Sequence, residues 1–207
     1  MGKHSQSIDK QILSRIYGKG RGCVFTPADF LDLGSRDAVD KVLSRNAKAG
    51  SIRKLARGLY DYPRSDPRLG VLSPSTDDIA KALRARDSTR LQPAGGHAAN
   101  LLGLSDQVPV RIVYLTDGLT RQVQLGKRRI VLKRTTPRNM AAADTVSGLV
   151  IQALRWIGQR HVDEKKVVSA LRQRLSDSDK QQLLKGMRYA PAWIATIMRK
   201  VAGQPES

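Results

Sequence analysis

Residues 35–63 constrain the fold of this chain more than any other stretch. Ala38, Val39, Val42, Leu43 and Ala47 recur at helical spacing and form one apolar stripe. Arg36, Asp37, Asp40, Lys41, Ser44, Arg45 and Lys48 fall largely on the opposite side. With Ser35 as its cap, the spacing predicts a helix running to Ala49. The chain continues as Gly50-Ser51-Ile52-Arg53-Lys54-Leu55-Ala56-Arg57-Gly58-Leu59-Tyr60-Asp61-Tyr62-Pro63, which reads as a short β-hairpin. Ala56-Arg57-Gly58 forms its tip and cations flank it on both sides. A basic helix followed by a cationic hairpin suits duplex DNA, the helix in the major groove and the hairpin against the backbone beside it.

The residues upstream complete a small helical unit. Ile8, Ile12, Leu13 and Ile16 predict a helix from Ser7 to about Tyr17, broken by Gly18-Lys19-Gly20-Arg21-Gly22. Cys23-Val24-Phe25 is a short apolar run able to pair with the hairpin. Thr26-Pro27 then opens a short helix to about Leu31, and Leu33-Gly34 turns the chain. Residues 1–63 therefore read as a winged helix-turn-helix domain. Its expected DNA contacts are Thr26, Ser35, Arg36, Lys41, Ser44, Arg45 and Lys48 from the helical part, with Arg53, Lys54 and Arg57 from the wing.

Residues 64–74 hold two prolines and a glycine and read as an extended connector. A second domain is expected over 75–207, giving an α+β protein whose C-terminal domain is mixed α/β with a small antiparallel sheet and terminal helices. Ser75-Thr76-Asp77-Asp78 starts a helix that ends near Asp87. Gln92 to Gly96 reads as a loop, His97 to Leu102 as a small-residue helix, and Val108 to Tyr114 as a strand. Gln122 to Leu125 and Arg129 to Lys133 alternate with period two and join through Gly126-Lys127 as a second hairpin. Helices follow at about 144–158, 163–174, 177–186 and 191–202. Lys127, Arg128, Arg129, Lys133 and Arg134 make the second hairpin cationic. That suits a second polyanion contact or a dock for an acidic partner, and equally a charged sheet edge that resists aggregation.

Composition narrows the function classes. Lys plus Arg number 37 against 18 acids, for a net charge of +19 spread over all three thirds of the chain. Such a balance favours a polyanionic partner, nucleic acid before an anionic membrane. One cysteine, Cys23, and three scattered histidines, His4, His97 and His161, build neither a disulfide framework nor a metal cluster, so no cofactor is expected. No apolar run reaches the roughly 18 residues of a membrane span, and a cytoplasmic protein is expected. Gly95-Gly96-His97 lacks the spacing of a phosphate-binding loop. Asp117 beside Lys127 and Lys133 evokes a metal-dependent nuclease, the alternative function, but lacks the second acid that such chemistry requires. Asp117-Gly118 is better explained as a turn, and no catalysis is expected.

Two segments resemble the AbiEi-like antitoxin family of type IV, abortive-infection toxin–antitoxin systems. One is Ser35 to Arg45 together with Gly50 to Pro63. The other is Ala98-Ala99-Asn100-Leu101-Leu102-Gly103-Leu104-Ser105-Asp106-Gln107-Val108-Pro109, followed by Val113-Tyr114-Leu115-Thr116-Asp117-Gly118. The resemblance implies a winged helix that binds inverted repeats in its own promoter and represses the operon. It also implies a C-terminal domain counteracting a nucleotidyltransferase-like toxin, without requiring a stable complex. A plain repressor lacking a toxin partner is the nearest alternative. Asn46 departs from the family, which tends to place an apolar residue there.

Overall fold

A computed structural model describes residues 7–107, 109–126 and 128–204. It divides the chain into two compact units, Met1–Ser88 and Thr89–Ser207.

The first unit opens with α1 (Ile8–Lys19), where Ser7 Oγ accepts the Lys10 N–H at 3.4 Å. Strand β1 (Val24–Phe25) and a 3-10 turn (Pro27–Phe30) lead to α2 (Arg36–Lys48), then β2 (Arg53–Ala56) and β3 (Leu59–Asp61). The sheet order is β1-β3-β2, both pairings antiparallel. Apolar residues at three- and four-residue spacing meet at its centre: Ile12 and Ile16 from α1, Val39, Val42 and Leu43 from α2, and Ile52 ahead of β2. Phe25 meets Phe30 edge-on at 5.7 Å and stacks on Tyr60 at 6.3 Å, favoured geometries for aromatic pairs. Asn46 is buried in this apolar setting because its amide is satisfied. Its Nδ2 donates to Val42 O at 2.9 Å and to Asp9 Oδ1 at 3.0 Å, tying α2 to α1.

The start of α2 is fixed by Ser35, whose Oγ accepts the Ala38 N–H at 3.3 Å. Replacing Ser35 with alanine orphans that donor and is expected to destabilise the unit by about 1 kcal/mol, read as a shift in the urea midpoint.

Residues 64–74 are not an extended connector. Arg64–Asp66 (β4) and Gly70–Leu72 (β5) form an antiparallel hairpin. Asp66 Oδ1 accepts the N–H groups of Arg68 at 2.8 Å and Leu69 at 2.9 Å, and these bonds hold its carboxyl below the usual aspartate range. Gly70, at φ 73°, takes the left-handed conformation this turn needs. Helix α3 (Thr76–Asp87) belongs to the first unit, so the division falls after Ser88 rather than at 64–74.

The second unit contains β6 (Leu91–Ala94), α4 (Gly95–Leu101), β7 (Arg111–Thr116), β8 (Arg121–Leu125) and β9 (Arg128–Arg134). Helices α5 (Pro137–Met140), α6 (Val146–Ile157), α7 (Glu164–Arg174), α8 (Asp177–Gly186) and α9 (Ala192–Val201) follow, with a 3-10 turn at Met187–Tyr189. The α+β class is as expected, with two corrections to the sheet. Leu91–Ala94, read mostly as loop, is a strand paired antiparallel with β7. It lies at the edge of the order β6-β7-β9-β8, where Pro93, without an N–H, is tolerated. The sheet is also not wholly antiparallel, since β7 and β9 run parallel from Arg111↔Arg129 to Thr116↔Arg134. The strand foreseen from Val108 begins at Arg111, and Val108 itself lies outside the described residues. Buried Val150, Ile151 and Leu154 of α6 meet Ala98 and Ala99 of α4, Leu171 of α7, Leu183 of α8, and Ile194 and Met198 of α9. Among the described residues, no helix is long and apolar enough to cross a membrane.

Candidate nucleic-acid interface

The outward side of α2 is polar because its apolar stripe is consumed by the core. Ser35, Arg36, Lys41, Ser44, Arg45 and Lys48 are all exposed. Two of the cations are engaged. Arg36 Nε lies 2.8 Å from Asp40 Oδ2, one turn along the same helix, and Arg45 Nη2 lies 3.1 Å from Asp9 Oδ1. Both contacts are at the surface and weak enough for a phosphate to displace. Lys41 and Lys48 have no ion pair among the described residues.

The β2–β3 hairpin adds two more free cations. Its pairing is irregular between Lys54 and Ala56, and Gly58 (φ 66°) closes the tip. Lys54 and Arg57 are exposed and, among the described residues, without an ion pair. Arg53 behaves differently. Its Nε donates to Asp61 Oδ1 at 3.0 Å, and its Nη2 donates to Asp61 Oδ2 at 2.5 Å and to Leu72 O at 2.9 Å. Asp61 is 1% exposed. Arg53 is thus the counter-ion of a buried carboxylate and a link from the hairpin to β5, rather than a free phosphate ligand.

Thr26 also leaves the expected set. It is 1% exposed, and its Oγ1 and N–H both donate to Asp29 Oδ2, at 3.0 and 2.8 Å. The hydroxyl that caps the 3-10 turn is covered by the packing that the turn creates. Sequence reasoning missed the Arg53–Asp61 pair, although their alignment across β2 and β3 follows once the hairpin register is known.

The second cationic cluster lies in the other unit. Arg128 and Arg129 stand at one end of β9, Lys133 and Arg134 at the other, all exposed; Lys127 lies outside the described residues. Arg129 is aligned with Arg111 of β7, and its Nε donates to Gln124 Oε1 at 3.2 Å. Because β9 sits between β7 and β8, these charges do not guard a sheet edge; that explanation falls away.

The remaining candidates are occupied structurally. Asp117 accepts the Arg90 N–H and the Arg90 Nε–H, both at 2.9 Å, and this pairing holds its carboxyl below the usual range. His97 is buried, its Nε2 3.1 Å from the Tyr114 hydroxyl. Cys23 is half-buried with Sγ 3.8 Å from Ile16 O, and burial raises its thiol pKa. Among the described residues, no group of three or more His, Cys, Asp or Glu is placed to hold a metal ion.

No curated protein matches this chain. The family described as "Family of unknown function (DUF6088)" matches residues 11–183, taking in most of both units. On the strength of that match over most of its length, the chain belongs to the DUF6088 family.

Proposed function

We propose that the first unit is a winged helix-turn-helix that binds duplex DNA, and that the protein represses transcription of its own operon. In this reading α2 enters the major groove, and Lys54 and Arg57 hold the backbone from the wing. The observation that carries it is the shared exposure of Lys41, Ser44 and Lys48 on α2 with Lys54 and Arg57 on the hairpin, the four cations having no counter-ion among the described residues. The order helix, strand, turn, helix, hairpin supports the same reading. Base contacts from α2 set sequence choice, while the wing sets affinity and its salt dependence.

The antitoxin role, in which a nucleotidyltransferase-like toxin is counteracted, rests on the resemblance of residues 35–63 and 98–118 alone. DNase footprinting on the region upstream of the chain's own gene is expected to reveal protected inverted repeats. An unprotected region, at protein concentrations that bind DNA elsewhere, would remove the autorepressor assignment. Failure of co-expression to rescue cells from a neighbouring nucleotidyltransferase would remove the antitoxin assignment separately.

A further inference from the structure

The second unit contains a cleft of about 600 Å³ that the DNA reading does not use. Leu104, Ile157 and Trp156 give it an apolar wall, and Ser105, His161, Asp163 and Lys166 supply polar groups. That size and mixture suit a small organic ligand.

Trp156 is the unusual member. It is a large aromatic side chain left 47% exposed. A Cβ added at Gly96 would lie 3.3 Å from Trp156 Cζ2 and 3.5 Å from Cε2, and one at Gly95 would lie 3.7 Å from Cδ1. Gly95 has a positive φ of 63° and needs glycine for its backbone, but Gly96 has no such requirement. Glycine weakens a helix, and at Gly96 the visible return is room for the indole. The indole thus lies against the Gly95-Gly96 backbone while about half of the side chain stays open, as in an aromatic stacking platform.

The lining beside the platform carries one cation, Lys166, and one carboxylate, Asp163. Lys166 has a side chain 86% exposed, and its Nζ reaches Asp163 only at 3.7 Å. Asp163 Oδ1 meanwhile accepts the Lys166 N–H at 3.1 Å as the cap of α7. His161 is exposed beside it. With a net charge of +19, a second copy of the chain is a poor occupant and an anion a good one.

We infer that this cleft binds a flat aromatic ring carrying an anionic group, namely a purine nucleotide, either free or as a base within a single strand. The base stacks on Trp156, and Lys166 and His161 take the phosphate.

The chain has two tryptophans, so intrinsic fluorescence reads the site directly. Titrations would use GMP, guanosine and a short single-stranded oligonucleotide. GMP or the oligonucleotide is expected to give saturable quenching, with guanosine at least about fivefold weaker than GMP because it lacks the phosphate. Lys166→Ala should bring GMP down to the level of guanosine. Gly96→Ala, whose Cβ would press on the indole at 3.3 Å and shift it by a few tenths of an ångström, should weaken all ligands. Trp156→Ala should abolish saturation while circular dichroism shows an unchanged fold. Trp156→Phe keeps a ring and should retain part of the binding by equilibrium dialysis. Tighter binding of the oligonucleotide than of GMP identifies a strand as the source; the reverse order identifies the free nucleotide. The proposal is overturned if none of the three ligands saturates below about 5 mM. It is equally overturned if quenching persists undiminished in Trp156→Ala. Neither result touches the DNA reading, which rests on the other unit.

Discussion

Replacing Arg53 with alanine is expected to destabilise the first unit by about 3 kcal/mol or more, the scale for stranding a buried charge. Asp61 is almost wholly buried, whereas the Arg53 side chain is 31% exposed. The two single deletions should therefore be unequal. Arg53→Ala leaves a carboxylate in the interior with no counter-ion. Asp61→Ala leaves a guanidinium that can turn to water and still reach Leu72 O. Arg53→Lys should fall between wild type and Arg53→Ala, since an ammonium keeps the charge but loses the two-pronged fork. Hydrogen exchange of the β2–β3 amides resolves this unit from the other. Unchanged protection in Arg53→Ala, or a greater loss in Asp61→Ala, would refute the assignment of Arg53 as the counter-ion.

The second large effect concerns binding. Lys41→Ala combined with Arg57→Ala is expected to reduce affinity for operator DNA at fixed salt by about 100-fold or more. This follows from about 1–3 kcal/mol for a base contact together with the loss of a wing phosphate contact. Both side chains are exposed and unpaired among the described residues, so stability should change by no more than about 0.5 kcal/mol. Thr26→Ala should do the reverse, loosening the 3-10 turn while leaving contacts to DNA in place, because Thr26 is buried. A mobility-shift titration paired with urea denaturation separates the two kinds of loss. Unchanged affinity in the double variant would mean that α2 and the hairpin do not dock as proposed.

Much of the first unit was legible because its helices bury one stripe each and their caps are local. Ser7, Ser35 and the isoleucines of α1 mark their own boundaries within a residue or two. The β4–β5 hairpin was hidden because proline and glycine signal a turn and a linker equally; the Asp66 hydrogen bonds decide between them. β6 was hidden because Pro93 argues against a strand unless that strand lies at an edge, and edge position is a property of the assembled sheet. Alternation in 122–133 predicted a hairpin, but period two carries no information about direction, so the parallel β7–β9 pair could not be read. At the candidate interface, Lys41, Ser44, Lys48, Lys54 and Arg57 were identifiable from helical and hairpin spacing. The roles of Arg53 and Thr26 depend on who faces them across the sheet and within the 3-10 turn, and only the tertiary structure supplies that.

The most direct test of the central claim is the salt dependence of wild-type binding to a duplex from the chain's own upstream region. Contacts from α2 and the hairpin predict that log K falls with log[salt] at a slope of about −4 or steeper, becoming shallower by about one unit in Arg57→Ala. A wild-type slope near zero, or no binding at low salt, would contradict the account.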